Sequence, residues 1–376
     1  MQRNEKKRYD WIKICTFAVL IKLVMKALSL FSWIGVSEYY LKDLGIDVVT
    51  ATDIDNKRCD VHHFFYPNTD VVCGDICDDK VKDKIVETVG NSKIDIVIST
   101  PPCQGMSTVG KNKGKALEES KDERNYLILQ SFSIIDRLDP TFIVFENVPQ
   151  LLKVKIPFRA NLMSISDILL QKYGKKYEMK INVYNTSDFG IPQNRERVFI
   201  RLYKKGLQWK DPEPVEHTVT LRDAIGDLPS LEAGEFSDLK NHWARKHPEL
   251  QVEWMRHTPT GCSAFSNIEY YPVKSNGERI KGYPNCYKRM VWDAPSPTVT
   301  MRNEIMSSQD NVHPGREIGK GLWSDARVLT LRELLILMSL PPDMDLPTIV
   351  SDTALRQFIG EGIPSMMMKK IMEGIC

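Results

Sequence analysis

A thiol that is to act as a nucleophile must be held in one direction, and the run Pro101-Pro102-Cys103-Gln104-Gly105-Met106-Ser107 is suited to do this for Cys103. Each proline fixes its own φ and bars the helical region to the residue before it, so Thr100 to Pro102 is expected to be extended. The apolar run Ile94 to Ile98 just upstream reads as a strand, which puts the stiff turn at a strand's C-terminal end. A second run, Thr141-Phe142-Ile143-Val144-Phe145, reads as a fully buried strand that delivers Glu146 and Asn147 to its own C-terminal edge. Open α/β sheets bind ligands at those edges, so Cys103 and Glu146 face one pocket if their strands are neighbours. A third run, Gln193 to Ile200, alternates along a strand, and a period of two sends Gln193, Arg195 and Arg197 to one face. Taken singly, each has an ordinary explanation: a small buried hydrophobe, an acid at a helix start, a solvated strand face.

The elements that must position these groups alternate from Ala27 to about Tyr203 between short apolar runs and amphipathic segments, the pattern of an α/β fold with a doubly wound, mostly parallel sheet. The strands expected are Ala27 to Phe31, Asp47 to Ala51, Asp70 to Cys73, Ile94 to Ser99, Phe142 to Phe145, Tyr177 to Tyr184 and Arg197 to Leu202; helices are expected over Ser37 to Leu44, Lys57 to Phe65, Lys80 to Val89 and Arg124 to Arg137. Thr108 to Lys121, rich in Gly, Lys and Ser, reads as a loop suited to closing over a substrate. From about Lys204 the alternation stops, and polar, Pro-containing and aromatic segments run to Ser324 as a second, smaller, irregular domain. Thr330 and Glu333 then stand in capping-box spacing at the head of a new helix, and Leu355 to Ile375 is helical again. The expected division is 1–24 as an extension outside the catalytic fold, 25–204 as the main domain, 205–324 as the second, and 325–376 as a return to the first.

Net charge is +2 from 51 basic and 49 acidic residues, so contact with a nucleic acid must come from a local patch and not from a global polycation. Lys274, Arg279, Lys281, Lys288, Arg289 and Arg302, interleaved with Tyr271, Tyr283, Tyr287 and Trp292, offer one. Eight cysteines without framework spacing and no secretory signal imply a reducing, cytoplasmic setting without disulfides. Cys59, His62, His63, Cys73 and Cys77 lack the paired spacing of a zinc site, so no metal is expected. Near the N-terminus Lys13, Lys22 and Lys26 interrupt the apolar stretch, and its uncharged run Ile14 to Ile21 is too short to span a membrane.

The Pro-Cys-Gln loop, Glu146-Asn147-Val148 and Gln193-x-Arg195-x-Arg197, in this order, resemble the ordered blocks of the cytosine-C5 DNA methyltransferases. The likeness runs from about Ala27 to about Pro364 and implies a class I, Rossmann-like methyltransferase domain with a smaller target-recognition domain. It implies S-adenosylmethionine as cofactor, held by Phe31, Gly35, Asp53, Ile54, Asp75, Pro101 and Glu361. Cys103, Glu146, Arg195 and Arg197 would be catalytic, and Gln104, Ser107, Asn147 and Gln193 would line the substrate pocket. The implied reaction puts a methyl group on C5 of a cytosine flipped out of a specific duplex DNA sequence, through a covalent Cys103–C6 adduct. The partners implied are double-stranded DNA and, functionally, a cognate restriction endonuclease, with the enzyme itself a monomer.

Three positions depart from that pattern. The family turn after the first strand reads Phe-x-Gly-x-Gly-Gly, and here Trp33 and Val36 hold the first and third glycine positions. Neither takes a positive φ or a close approach cheaply, and Trp33 is expected to fill the pocket for the cofactor's methionine end. Glu361 stands where the family has Asn. Weakened cofactor binding follows, with a feeble or inactive DNA-binding homologue as one alternative and a tRNA cytosine-C5 methyltransferase as another.

Overall fold

A computed structural model describes residues 24–102 and 123–375; Cys103, Gln104, Ser107, the expected closing loop Thr108 to Lys121 and residues 1–23 of the expected N-terminal extension lie outside the described residues. The strands are β1 Met25–Leu30, β2 Ile46–Asp53, β3 Asp70–Cys73, β4 Ile96–Ser99, β5 Phe142–Asn147, the hairpin β6 Lys155–Phe158 and β7 Asn161–Ser164, β8 Tyr177–Asn185 and β9 Glu196–Lys204. All but the hairpin form one seven-stranded sheet in the order β3-β2-β1-β4-β5-β9-β8. The first five are parallel, and β9 runs antiparallel to both β5 and β8. The sheet is the expected doubly wound, mostly parallel one. Strand order reverses between β1 and β4, the switch point beside which α/β sheets open a crevice. β4 and β5 are neighbours, with Ser99 opposite Phe145, so the ends of these two strands do share an edge.

The helices are α1 Asn56–Phe65, α2 Asp79–Val89, α3 Ser131–Leu138, α4 Ile165–Tyr173, α5 Leu221–Ile225, α6 Glu249–Arg256, α7 Leu331–Leu337, α8 Asp352–Glu361 and α9 Ser365–Glu373. Alternate residues of the strands feed two apolar layers. Leu28, Leu30, Val97, Ile143 and Phe145 pack under α2, α3 and α4. Ala27, Ile96, Ile98, Val144 and Phe199 pack under Met367, Met368, Ile371 and Met372 of α9. Burial on both faces explains why β4 and β5 read as apolar runs, and α9, near the C-terminus, packs on the sheet.

The differences from expectation are local. Ser37 to Leu44 is not a continuous helix but two 3-10 turns, Val36–Glu38 and Leu41–Leu44, the second stopped by Gly45 at φ 75°. The segment before Leu138 divides likewise into a 3-10 stretch, Glu123–Gln130, and α3. The β6–β7 hairpin and α4 were not expected; Ser164 caps α4 by accepting from the Asp167 N–H.

Between β9 and α7 regular structure is sparse, and a separate apolar cluster forms from Trp254, Met255, Ala264, Tyr287, Met306, Val312, Ala326 and Val328. The expected basic and aromatic strip does not hold together as one surface. Arg289 is fully buried and donates to the carbonyls of Met255, His313 and Asp325, while Tyr287 and Trp292 are core residues. Lys274, Arg279, Lys281, Tyr283 and Arg302 remain exposed. The capping box predicted at the head of α7 is present: Thr330 Oγ1 accepts from the Glu333 N–H and the Glu333 carboxylate accepts from the Thr330 N–H. Arg327 joins that carboxylate and Asp325 at 2.8 Å each, all three buried. Burial alone would raise the Glu333 carboxyl, but the charges of Arg327 and His313, with the hydrogen bonds from Arg327 and the Thr330 N–H, together hold it at about 2.

Candidate active site

The C-terminal ends of β1 to β5 carry the groups singled out in the sequence. After β4, the Thr100 N–H donates to Leu30 O at 3.2 Å and its hydroxyl to Phe31 O at 2.8 Å. Asn147, at the end of β5, donates its amide to Pro101 O at 2.9 Å and accepts the Val148 N–H at 2.9 Å. The segment leading to Cys103 is therefore hung between the turn after β1 and the end of β5. Glu146 is 7% exposed and meets Arg197 Nε at 3.0 Å. Burial pushes its carboxyl above the ordinary range, and the charges of Arg197 and Arg195 pull against that rise.

Gln193 and Arg195 lie in the extended approach to β9, which begins at Glu196, and the expected alternation holds there: both are buried, Asn194 and Glu196 between them are exposed, and Arg197 follows half-buried. Gln193 is fully buried, its amide donating to Leu337 O at 3.0 Å and accepting the Val299 N–H at 3.2 Å. Arg195 donates to Val299 O at 2.8 Å and to Gly360 O at 3.3 Å. These two residues knit the strand's approach to α7, α8 and the 296–300 segment. Arg197 pairs with Glu146, and the charge of Arg195 also acts on that carboxyl.

The turn after β1 winds through positive φ at Phe31 (58°), Trp33 (56°) and Gly35 (77°). Gly35 is required there on two counts: a Cβ would also lie 2.3 Å from the ring of Tyr66, whose hydroxyl donates to Gly35 O. Val36, expected to be a misfit, is instead accommodated in the 3-10 turn opposite Gly362, whose missing Cβ would lie 2.8 Å from Val36 Cβ. Trp33 donates its backbone N–H to Asp53 Oδ2 at 3.2 Å and its indole N–H to Thr100 O at 3.4 Å.

Asp53, buried at the end of β2, also accepts the Asp55 N–H at 3.0 Å, and burial raises its carboxyl. Each of its oxygens keeps acceptor capacity beyond these bonds. Ile54 beside it is 62% exposed, and Asp75 lies exposed just past β3. Glu361, from the end of α8, pairs through both oxygens with Arg58 Nη2 at 2.9 Å. An exposed apolar side chain flanked by two carboxylates fits the adenosine half of S-adenosylmethionine, one face for a ring and acceptors for hydroxyl and amino groups.

Arg58 and Thr100 were missed in the sequence. Thr100 carried no signal beyond preceding a proline, but Arg58 did: a cation in the first turn of α1 opposes the helix dipole, which marks it as held for another partner. Of the cysteines and histidines weighed as metal ligands, His62 pairs with buried Glu38 at 3.0 Å and the Cys73 thiol donates to Asn56. Among the described residues no group of three or more His, Cys, Asp or Glu could hold a metal ion.

The family model for C-5 cytosine-specific DNA methylases matches residues 25–376. The chain belongs to that family. The type II methyltransferase M1.HgaI of Avibacterium volantium is 43% identical over 355 residues, covering 94% of this chain and 99% of the relative. The type II methyltransferase M1.HphI of Haemophilus parahaemolyticus is 29% identical, covering 93% and 86%. In fold, the Entamoeba histolytica methyltransferase EhMeth matches with a TM-score of 0.63 at 14% identity over 93% of this chain and 97% of that one. This DNA cytosine-C5 methyltransferase is of the type II restriction-modification kind, and its family uses S-adenosylmethionine. Among the described residues no helix is long and apolar enough to cross a membrane.

Proposed function

We propose that this methyltransferase modifies C5 of a cytosine turned out of a specific duplex DNA sequence, through a transient bond between Cys103 Sγ and C6. C5 of cytosine is too weak a nucleophile to take a methyl group unaided, so the ring must first be activated by addition. Thiolate addition at C6 moves electron density toward N3, where Glu146 donates a proton or a hydrogen bond; C5 then carries the nucleophilic electrons. S-adenosylmethionine, when bound, supplies an electrophilic methyl group on a sulfonium. Loss of the C5 proton to a base and elimination of the thiolate restore the aromatic ring. In this scheme Arg197 orients Glu146, Arg195 adds positive charge near the carboxyl, Asn147 steadies the loop before Cys103, and Gln104, Ser107 and Gln193 organise the pocket around the base.

The observation that carries the reading is Glu146: a buried carboxyl raised by its burial, beside Arg197, on the strand adjoining the one that runs into Pro101 and Cys103. A raised carboxyl holds a proton nearer neutrality, as donation to N3 requires. Phe31, Gly35, Asp53, Ile54, Asp75, Pro101 and Glu361 would hold the cofactor. Residues 25–204 and 325–376 would form the catalytic domain and 205–324 the target-recognition domain. We assign it to the cytoplasm, as a monomer working functionally opposite a restriction endonuclease.

A duplex carrying 5-fluorocytosine at candidate sites, incubated with enzyme and S-adenosylmethionine, tests this, because fluorine cannot leave as the proton does. We expect a denaturant-resistant protein–DNA adduct, absent from Cys103→Ala. Methyl incorporation into tRNA and not into duplex DNA, or an adduct that survives Cys103→Ala, would reject the reading.

A further inference from the structure

Two of the three departures from the family pattern, Trp33 and Glu361, meet on one side chain. The Arg58 guanidinium lies 4.3 Å from the centroid of the Trp33 ring and 5.5 Å from that of Phe358. It makes its two short bonds to the Glu361 carboxylate and stands 3.5 Å from Asp53. Its side chain is 14% exposed, and Nε is buried with no hydrogen-bond partner among the described residues. A desolvated donor without an acceptor is unfavourable, and this one leaves the guanidinium with capacity for a further acceptor. It also sits beside Asp53, the carboxylate that closes the adenosine end of the site.

We propose that Arg58 and Glu361 form an ionic clasp that reads the amino-acid half of the cofactor, with Trp33 as the platform on which the Arg58 guanidinium turns. The reasoning rests on the proposed cofactor site and on charge. A free α-amino acid end carries one carboxylate and one ammonium, the same two charges that Arg58 and Glu361 present to each other. Exchange of partners, carboxylate onto Arg58 and ammonium onto Glu361, leaves no charge buried alone. It also offers the unused Arg58 Nε–H an acceptor, completing the bidentate fork that suits guanidinium to carboxylates. A ligand with the adenosine half alone would leave the pair closed. Glycines in the usual turn read a cofactor by backbone approach, and here side-chain charges take over that task.

Calorimetric binding of S-adenosylhomocysteine and of methylthioadenosine, which lacks the amino-acid end, separates the two halves. We expect Arg58→Ala and Glu361→Gln each to weaken S-adenosylhomocysteine by about tenfold or more, the worth of a charge-assisted hydrogen bond, and to leave methylthioadenosine within about twofold. Arg58→Lys, which keeps the charge but loses the planar fork, should fall between. The nearly isosteric Glu361→Gln guards against a trivial folding defect. Equal losses for both ligands, or tighter S-adenosylhomocysteine binding in Arg58→Ala, would overturn the clasp alone. Failure of the unaltered protein to bind either ligand would overturn the cofactor site and the clasp with it.

Discussion

Removing Arg197 should destabilise the protein by an amount that depends on pH in a calculable way. In Arg197→Ala the Glu146 carboxylate loses its partner at 3.0 Å while remaining buried. Breaking such a pair ordinarily costs about 3–5 kcal/mol, because a charge is left alone in a poor dielectric. The carboxylate has an escape: it can bind a proton. From its ordinary value of 4.5, protonation costs about 5 kcal/mol at about pH 8 and about 1.4 kcal/mol at about pH 5.5, at about 1.4 kcal/mol per unit. Those figures are ceilings on the damage at each pH. A carboxyl whose folded pKa lies above its unfolded one opposes folding increasingly as pH rises past the unfolded value, so the variant should suffer little in mild acid and most in mild alkali. Urea unfolding at the two pH values measures this. The double variant Arg197→Ala, Glu146→Gln removes both members of the pair and with them the titrating carboxyl, so its stability relative to Glu146→Gln should not vary with pH between these values. A single variant equally damaged at both values would refute the reasoning.

Three further outcomes follow from the same geometry. Asn147→Ala leaves the buried Pro101 carbonyl without its donor, a loss of about 1–3 kcal/mol, and frees the segment before Cys103; the rate of adduct formation on 5-fluorocytosine DNA should fall by about a hundredfold if positioning is its role, and an unchanged rate would reduce Asn147 to a structural tie. Glu333, held at about 2 against an ordinary 4.5, contributes stability that is present above 4.5 and lost as pH falls toward 2, on the order of 3 kcal/mol; Glu333→Gln should be less stable at neutral pH but show a flatter acid limb in thermal unfolding. Gly35→Ala combines a left-handed φ with a clash against Tyr66, for about 2–4 kcal/mol in all; calorimetry should show a lowered unfolding temperature, and an unaffected one would mean that the turn relaxes.

The central strands were legible because both faces of the sheet are covered, so burial wrote itself as apolar runs at β4 and β5 and as mostly apolar or small residues at β1 and β2. Pro101-Pro102 and Glu146-Asn147 could be assigned to strand ends for the same reason, and the adjacency of β4 and β5 then brought them to one edge. Gln193 and Arg195 take the alternation expected of them, but the partners they meet were not legible. What captures them is a set of carbonyls and amides at Val299, Leu337 and Gly360, more than a hundred residues along the chain. No local periodicity encodes such partners. Arg289 illustrates the same limit: counted by composition it belongs to a basic surface, yet it spends its donors on three buried carbonyls.

Trp33, Val36 and Glu361 show why substitutions at a glycine turn have to be weighed together. Counted singly, each removes something the family turn provides: freedom at positive φ, room for close approach, an amide. In the folded chain the missing room at Val36 reappears across the contact as Gly362, so bulk has changed sides without changing the fit. Trp33 holds its left-handed conformation at a cost of about 1–2 kcal/mol, and its ring, its indole N–H and its backbone N–H are all engaged, by Arg58, Thr100 and Asp53. A tryptophan that merely blocked a pocket would need none of these partners. The coupling of three altered positions through contacts present in one structure favours a rebuilt cofactor wall over a decayed one, and a decayed wall would predict that Trp33→Gly restores S-adenosylhomocysteine binding, whereas a rebuilt wall predicts that it weakens.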